Sequence, residues 1–486
     1  MPARLASGLV PRAAVTRAPV TRDHADAYRY GLRRLESALV SGDPVPLHEQ
    51  IRSQRRAAFA GVLVALLALG GVAIYALIAP RPDWTRQLLV VGDRSGSMYV
   101  VAHDPDRLVP VANLAAGRLV LAALGNGGGA TAVPVVVRDE DLAPVPRTPT
   151  AAIAGAVAVH PDGPGIPPRW SVCDRTTTAG RPRPAGTTVV AGAAATEPTP
   201  GVGVLLAVPD GGTYAVIEGH RHRIGLSDRP VLAALGLAGR SARPASSGMV
   251  SGIPEGLPLV TPELPAGRGP AGVPGRVGDV LTVTPIGAPG RYYVVLPDGL
   301  QEVPALAAQV LAATTGREPV EVGTGLVASV PLVDTLDVAG WPAPPTRWAE
   351  PADAPVVCWT WTPEATSVQL GDRIPAPDQA VVIDLAQADG PGDRVDAVVL
   401  GPGGGGPVRS TAPGQPSGTG SLWLISATGV GYGVADHPSA AALGINGAEP
   451  APEAALRLLP TGPALDLAAA ARVVDVGTSA IPRAAP

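Results

Sequence analysis

Residues 57–79 read AAFAGVLVALLALGGVAIYALIA, an uncharged run in which nothing is more polar than the Tyr75 hydroxyl. At about 1.5 Å rise per residue the run makes roughly 34 Å of helix, enough for a hydrocarbon core of about 30 Å. Arg52, Arg55 and Arg56 stand just before it, and Pro80-Arg81-Pro82 closes it. It is too long for a signal-peptide core and begins too deep in the chain. The stretch therefore predicts a single-pass membrane anchor at 57–79. Arginines outnumber acids ten to five ahead of it, whereas Arg81, Arg86 and Arg94 behind it are interspersed with Asp83 and Asp93. This asymmetry places residues 1–56 in the cytoplasm and the rest outside the inner membrane.

Everything beyond the anchor is read against that topology. The chain has 486 residues and a formal net charge of −4, which marks no nucleic-acid partner. All 37 basic residues are arginine, and with 60 Gly and 56 Pro this points to a GC-rich bacterial genome. Many short Val/Ile/Leu/Tyr runs punctuated by turn residues read as strands. The expected fold is mainly β with short helices, an α+β ectodomain. Cys173 and Cys358 both fall outside the membrane, where oxidising conditions favour their one intramolecular pairing; two buried free thiols are the alternative.

In chain order, residues 1–20 are rich in Arg, Ala and Pro and read as disordered. Residues 26–40, DAYRYGLRRLESALV, place Tyr28, Leu32, Leu35 and Leu39 on one helical stripe. Asp23 or Asp26 is expected to cap this helix, and Ser41-Gly42-Asp43-Pro44 to stop it. An isolated helix of this length is marginal in water, so the stripe is expected to dock on a partner protein or on lipid headgroups. Within the anchor, Ala57, Gly61 and Ala65 share one face and Gly70-Gly71 opens another, where helices can approach closely.

Four stretches outside share a layout of strand, turn, aromatic-bearing strand and short Ala/Leu helix: 88–124, 202–237, 277–314 and 420–445. Gly-Ser-Met-Tyr, Gly-Gly-Thr-Tyr, Gly-Arg-Tyr-Tyr and Gly-Ser-Leu-Trp mark the same step in each. Units below about 40 residues rarely stand alone, so these repeats must pack on each other or on a common core. Residues 133–200 and 320–407 carry the longer strand runs, AVPVVV and TGLVASVPLV among them, and both cysteines. They read as two parts of one central β-rich domain. Repeats 2 and 3 would extend from one side of it, and repeats 1 and 4 from the other. Residues 401–418 read as a flexible loop, and 450–486 as a tail with a helix-prone LDLAAAARVV.

Several chemical motifs are offered and declined. Asp93-Arg94-Ser95-Gly96-Ser97 has the form of a von Willebrand A metal site, but a strand rather than the required long helix follows it. Residues 401–406, GPGGGG, match G-x-G-x-x-G without a helix N-terminus to face a phosphate. A Walker A motif needs a lysine, and the chain has none. His220 and His222 lie between Arg221 and Arg223 without further ligands, and read as a solvated hairpin. No catalytic residue, metal or cofactor is implied.

The order of these parts resembles the EccB family, the single-pass component of the type VII (ESX) secretion core of mycobacteria and related actinobacteria. The resemblance rests on TRDHADAYRYGLRRLESALVSGDP, IRSQRR and the span, then SGSMYVV, WSVCD, GGTYAVIEGHRHRIGLSDRPVLAALGL, VCWTW and WLISATGVGYGVADHPSAAALGI. It implies an elongated periplasmic part, with four repeat domains around a central β-rich domain and a disulfide between Cys173 and Cys358. It also implies assembly with an EccC-like motor ATPase, EccD, EccE and the mycosin protease, and dimers within a hexameric machine. The leading expectation is a scaffold subunit. An envelope-binding module gripping peptidoglycan or glycan is the second, and metal-dependent adhesion through Asp93, Ser95 and Ser97 the third.

Overall fold

The computed structural model describes residues 21–42, 47–78 and 82–474, apart from 104, 152–160, 163–164, 179–181, 197–199, 210, 391, 414, 417 and 471. Residues 1–20 and the end of the tail therefore lie outside the described residues. The chain divides into two units, 1–81 and 82–486. Its architecture is α+β, mostly small sheets with short helices, and among the described residues one helix is long and apolar enough to cross a membrane.

Among its described residues the first unit holds two helices. Arg22–Ser41 begins four residues before the expected 26–40 segment. Neither Asp23 nor Asp26 caps it: Thr21 is the N-cap, with its Oγ1 2.7 Å from His24 Nδ1. Asp23 instead lies in the first turn, where a carboxylate favours the positive end of the helix dipole. Gly42 ends the helix with φ 69°, a left-handed turn that glycine adopts without a Cβ clash. The second helix, Leu47–Ile78, contains the membrane-length stretch Gln54–Tyr75. Arg55 and Arg56 thus stand on the helix itself and are exposed. Ala79 and the Arg52 side chain lie outside the described residues.

In the second unit four sheets share one topology. In repeat 1, Leu89–Gly92, Met98–Ala102 and Arg107–Val111 form an antiparallel meander. The helix Leu114–Ala123 then returns the chain to Val135–Val137, which pairs parallel with the first strand. A parallel neighbour needs such a crossover, and a helix with an apolar face supplies it. The order third-second-first-fourth recurs in every repeat. The meanders of repeats 2, 3 and 4 begin at Val202–Ala207, Val280–Val283 and Gly406–Thr411. Their returning strands are Arg243–Pro244, Val320–Glu321 and Glu449–Pro452. A second short helix follows each returning strand: Asp139–Leu142, Ser247–Gly252, Thr324–Ser329 and Glu453–Leu456. The chain beyond it bridges back to the third strand, as at Leu108 with Arg147, Arg221 with Glu255, Leu300 with Leu332, and Gly431 with Thr461.

These sheets draw boundaries that local patterning places elsewhere. The last three valines of AVPVVV, Val135–Val137, close the sheet of repeat 1 and do not join the central domain. The run TGLVASVPLV holds the helix Thr324–Ser329 instead of a strand. Repeat 4 starts at Gly406–Thr411, inside the stretch read as a loop, because a long connection separates this strand from Gly-Ser-Leu-Trp. The returning strands are two to four residues long, too short to show an alternating pattern.

A six-stranded sheet lies between the repeats in sequence. Its order is Thr366–Gly371, Val356–Trp361, Trp170–Thr176, Pro184–Ala191, Ala397–Leu400 and Val381–Asp384. Repeats 2 and 4 pack on it, contributing Met249, Val250, Ile253, Val408, Ala455 and Leu456 to a core with Trp170, Val172 and Val357. Repeats 1 and 4 share a second core through Leu119, Leu121, Leu424 and Leu443. Repeats 2 and 3 share a third through Val231, Leu235, Leu306 and Leu311.

Candidate functional site

The central sheet brings Cys173 and Cys358 onto adjacent antiparallel strands, directly opposite each other. They form a disulfide across a sequence separation of 185 residues, with a Cα–Cα distance of 4.0 Å. Cross-strand neighbours whose Cβ atoms share a face are close enough for such a bridge. The link joins the chain between repeats 1 and 2 to the chain between repeats 3 and 4.

Asp174, the next residue, points to the opposite face and is buried. Its Oδ1 accepts from Thr187 Oγ1 and from Ser246 Oγ, both at 2.8 Å, and its Oδ2 from Ser246 N at 2.6 Å. Ser246 is the N-cap of Ser247–Gly252, so this carboxylate anchors the second helix of repeat 2 to the sheet. Burial pushes its pKa up, against the hydrogen bonds that favour the anion. Arg243 lies buried nearby and donates to Ala354 O at 2.5 Å; burial lowers its pKa to about 10, opposed by the charges of Glu350 and Asp174.

Arg118 joins repeats 1 and 4. Its side chain is 2% exposed, on a helix where a charge would normally face water. Its two terminal nitrogens reach Asp162 at 2.8 and 2.6 Å, and Nη1 also donates to Leu443 O at 3.0 Å, at the end of the repeat 4 helix. The Arg118 hydrogen bond, with its charge, holds the Asp162 carboxyl below its ordinary pKa. In repeats 2 and 3, His222 and Gln301 take matching places on the third strand. His222 is buried, unlike a solvated hairpin residue, and its Nδ1 donates to Leu257 O at 2.8 Å. Gln301 donates to Leu336 O at 2.7 Å and accepts from Leu336 N at 2.7 Å. Sequence reasoning passed over Arg118, Asp174 and Gln301. An arginine inside the apolar run LAAGRLVLAA is the one local signal that could have found any of them.

The Asp93–Ser97 turn is organised by Asp139, which accepts from Ser95 Oγ at 2.7 Å and from Ser95 N at 2.8 Å. Asp93 accepts in return from Asp139 N at 3.1 Å. The turn's hydroxyl and acid thus fasten the second helix of repeat 1. The Ser95 hydroxyl, above all, keeps the Asp139 carboxyl below its usual range. A cavity of about 480 Å³ opens between the central sheet and repeats 2 and 4, lined by Trp359, Trp361, Arg221, Glu255 and Glu453 among others. Of its charges, Arg221 pairs with Glu255 at 3.1 Å and Glu453 with Arg457 at 2.5 Å.

On the first unit, Tyr28, Leu32, Leu35 and Leu39 are 70%, 49%, 62% and 85% exposed, an uncovered apolar stripe. On the membrane-length helix, an added Cβ at Gly61, Gly70 or Gly71 would meet nothing within 4 Å. Ala57 and Ala65 are exposed as well.

A family model described as "Type VII secretion system ESX-1, transport TM domain B" matches residues 17–478. The chain is 33% identical over 481 residues to the "ESX-5 secretion system ATPase EccB5" of Mycobacterium tuberculosis, covering 92% of each. It is 31% identical to the "ESX-1 secretion system ATPase EccB1" of Mycolicibacterium smegmatis, covering 93% of this chain and 94% of the relative. A chain in the structure of an intact ESX-5 inner membrane complex superposes with a TM-score of 0.67 at 30% identity, covering 98% of this chain and 99% of that one. A chain in the structure of the EccB3 dimer from the ESX-3 core complex superposes with a TM-score of 0.64 at 28% identity, covering 79% and 99%.

Proposed function

The chain belongs to the EccB family of type VII secretion systems, and from that premise we propose that it is a scaffold subunit of an ESX membrane complex, anchoring a periplasmic assembly to the inner-membrane channel and its motor ATPase. The observation that carries this reading is the paired construction of the second unit. Repeats fuse two by two through shared cores, and the paired segments are locked by a disulfide in the sheet between them. Such a build favours rigid presentation of surfaces over chemistry.

The arginine asymmetry and the disulfide support a cytoplasmic N-terminus and a periplasmic second unit. The proposed partners are an EccC-like ATPase, EccD, EccE and the mycosin protease, with self-association as dimers within a hexameric assembly. Tyr28, Leu32, Leu35 and Leu39 form the proposed cytosolic docking stripe. Arg52, Arg55 and Arg56 hold the membrane edge, and the small residues of the span allow close helix contact.

The relatives carry "ATPase" in their names, but the residues here favour a structural role. There is no lysine for a P-loop, and the Gly-rich 401–406 segment runs into the strand Gly406–Thr411 and offers no helix N-terminus to a phosphate. Gentle detergent extraction of the tagged full-length chain tests the proposal. A motor ATPase of the FtsK/SpoIIIE type should co-purify with it. Recovery of the chain alone, or bound to cell-wall glycan with secretion intact on deletion, would overturn the reading.

A further inference from the structure

Repeats 2 and 3 contain one sequence pattern twice. Residues 247–254 read SGMVSGIP and residues 324–331 read TGLVASVP. The two segments fold alike, as the short helices Ser247–Gly252 and Thr324–Ser329. Each returns its proline carbonyl to the third strand: Arg221 N donates to Pro254 O at 2.8 Å, and Leu300 N to Pro331 O at 2.9 Å. Gly325 is thereby the counterpart of Gly248, and Leu332 of Glu255.

What stands opposite them differs. A Cβ on Gly248 would lie 2.7 Å from Leu458 Cδ2, and one on Gly252 2.6 Å from Trp359 Cδ2, so these glycines are seats for packed side chains. Met249, Val250 and Ile253 are correspondingly buried in the central core. In repeat 3 nothing among the described residues lies within 4 Å of a Cβ on Gly325, and the helix has no buried residue. Leu326, Val327 and Val330 are covered only in part, while Val320 and Leu332 are 46% and 62% exposed. Composition shifts the same way: Ala328 replaces Ser251, and Leu332 replaces Glu255. The surface that repeat 2 buries is open in repeat 3, and more apolar.

We propose that this face of repeat 3 is a docking surface for another protein of the assembly, which presents a helical turn with a leucine beside a basic residue, the leucine seated on Gly325. The chemistry of the occupant follows from the filled seat: Leu458 enters from the turn after Glu453–Leu456, next to Arg457. Charge agrees with it. Glu318 and Glu321 flank Val320, Asp334 and Asp337 follow Leu332, and all four are exposed. The neighbouring Arg317 is held by Asp279. A second copy of this chain is a poor occupant. Its Leu458 already fills its own Gly248 seat, and the corresponding helix of repeat 1, Asp139–Leu142, would bring acid against acid.

This inference rests on the chain working inside a multi-subunit complex, and the test separates the two. Both native cysteines are in the disulfide, so Leu332→Cys introduces a single reactive thiol. Maleimide labelling is compared between the full-length protein purified alone in detergent and the co-extracted complex. Labelling at Leu332→Cys should be at least tenfold slower in the complex. Ile286→Cys, at the fully exposed tip of a hairpin in the same repeat, should label equally in both. Adding Gly325→Leu, which fills the seat, should restore fast labelling in the complex without changing the thermal unfolding of the isolated chain. A photo-cross-linker on the Leu332→Cys thiol should give an adduct with a different chain. Equal labelling in a complex that does assemble, or an adduct of twice the chain's own mass, overturns this inference alone. Extraction of the unsubstituted chain without partners overturns the scaffold reading, and this inference with it.

Discussion

The Arg118 guanidinium, on the helix of repeat 1, donates at 3.0 Å to the carbonyl of Leu443, the last residue of the repeat 4 helix. It is a polar clamp beside the apolar core that these two repeats, far apart in sequence, share. Arg118→Ala leaves that carbonyl buried without its donor and should destabilise the fold by about 2–4 kcal/mol. Arg118→Lys should recover little, because one ammonium cannot span Asp162 and Leu443 as the planar fork does. Thermal unfolding of the full-length protein in detergent measures both. Asp162 has its folded pKa depressed, so its share of stability is present above the unfolded value of 3.8 and lost as pH falls through the folded one. Acidification below about pH 4 should therefore narrow the gap between wild type and Arg118→Ala.

Cys173→Ser combined with Cys358→Ser should lower stability by about 2–4 kcal/mol, because the open chain regains the loop entropy that the bridge removes. Urea unfolding with and without reductant checks this. Reductant should shift the wild-type midpoint towards that of the double variant and leave the double variant unmoved.

His222 and Gln301 hold equivalent segments in repeats 2 and 3, and a substitution can exploit this. Burial lowers the folded pKa of His222 below 6.5. The unfolded chain then binds the extra proton more readily, so this group's contribution is intact above pH 6.5 and lost as pH falls through and below it. His222→Gln, on the precedent of Gln301, should keep the bond to Leu257 O and remove that acid sensitivity. His222→Ala should cost about 1–3 kcal/mol at neutral pH. Denaturation midpoints at pH 7.5 and 5.5 distinguish the three proteins.

Asp174 behaves with the opposite sign. Its folded pKa is raised, so the folded state binds a proton that the unfolded state releases, and stability declines as pH rises from 3.8 through the folded value. Asp174→Asn should flatten that slope, and Asp174→Ala should cost about 2–4 kcal/mol by leaving the Ser246 N–H and two hydroxyls unpaired. A pH series of chemical unfolding curves reports both effects.

On the first unit, Leu35→Asp with Leu39→Asp should abolish co-extraction of the motor ATPase while leaving membrane insertion and the unfolding of residues 82–486 unchanged. Retained co-extraction would remove the docking role of the stripe. Replacing 57–79 by an unrelated apolar span of equal length should preserve insertion and weaken assembly, read as complex yield.

The legible parts of this protein are those whose signal is local. The anchor follows from the length and polarity of one run. The N-terminal helix follows from the spacing of Tyr28, Leu32, Leu35 and Leu39, and the strand hairpins from alternation around the aromatic steps at Tyr99, Tyr214, Tyr293 and Trp423. The first helix of each repeat likewise declares itself in its Ala/Leu composition. Asp93 and Ser95 show the limit of motif reading, since their geometry is set by Asp139, more than forty residues away in sequence.

By itself the sequence determined the membrane-length run, the stripe and the hairpins of repeats 1 to 3, because periodicity and hydropathy act over one element at a time. Only the tertiary structure decided which strand closes each sheet. Val135–Val137 and Val320–Glu321 carry no pattern of their own, and pairing with a distant first strand is what makes them strands. Burial of Arg118 and Asp174 was decided in the same way, by partners that converge from separate segments. Gly248 and Gly325 make the distinction sharpest. They sit in nearly the same eight residues, yet one is a filled seat and the other an open one, because Leu458 stands opposite the first and, among the described residues, no side chain stands opposite the second.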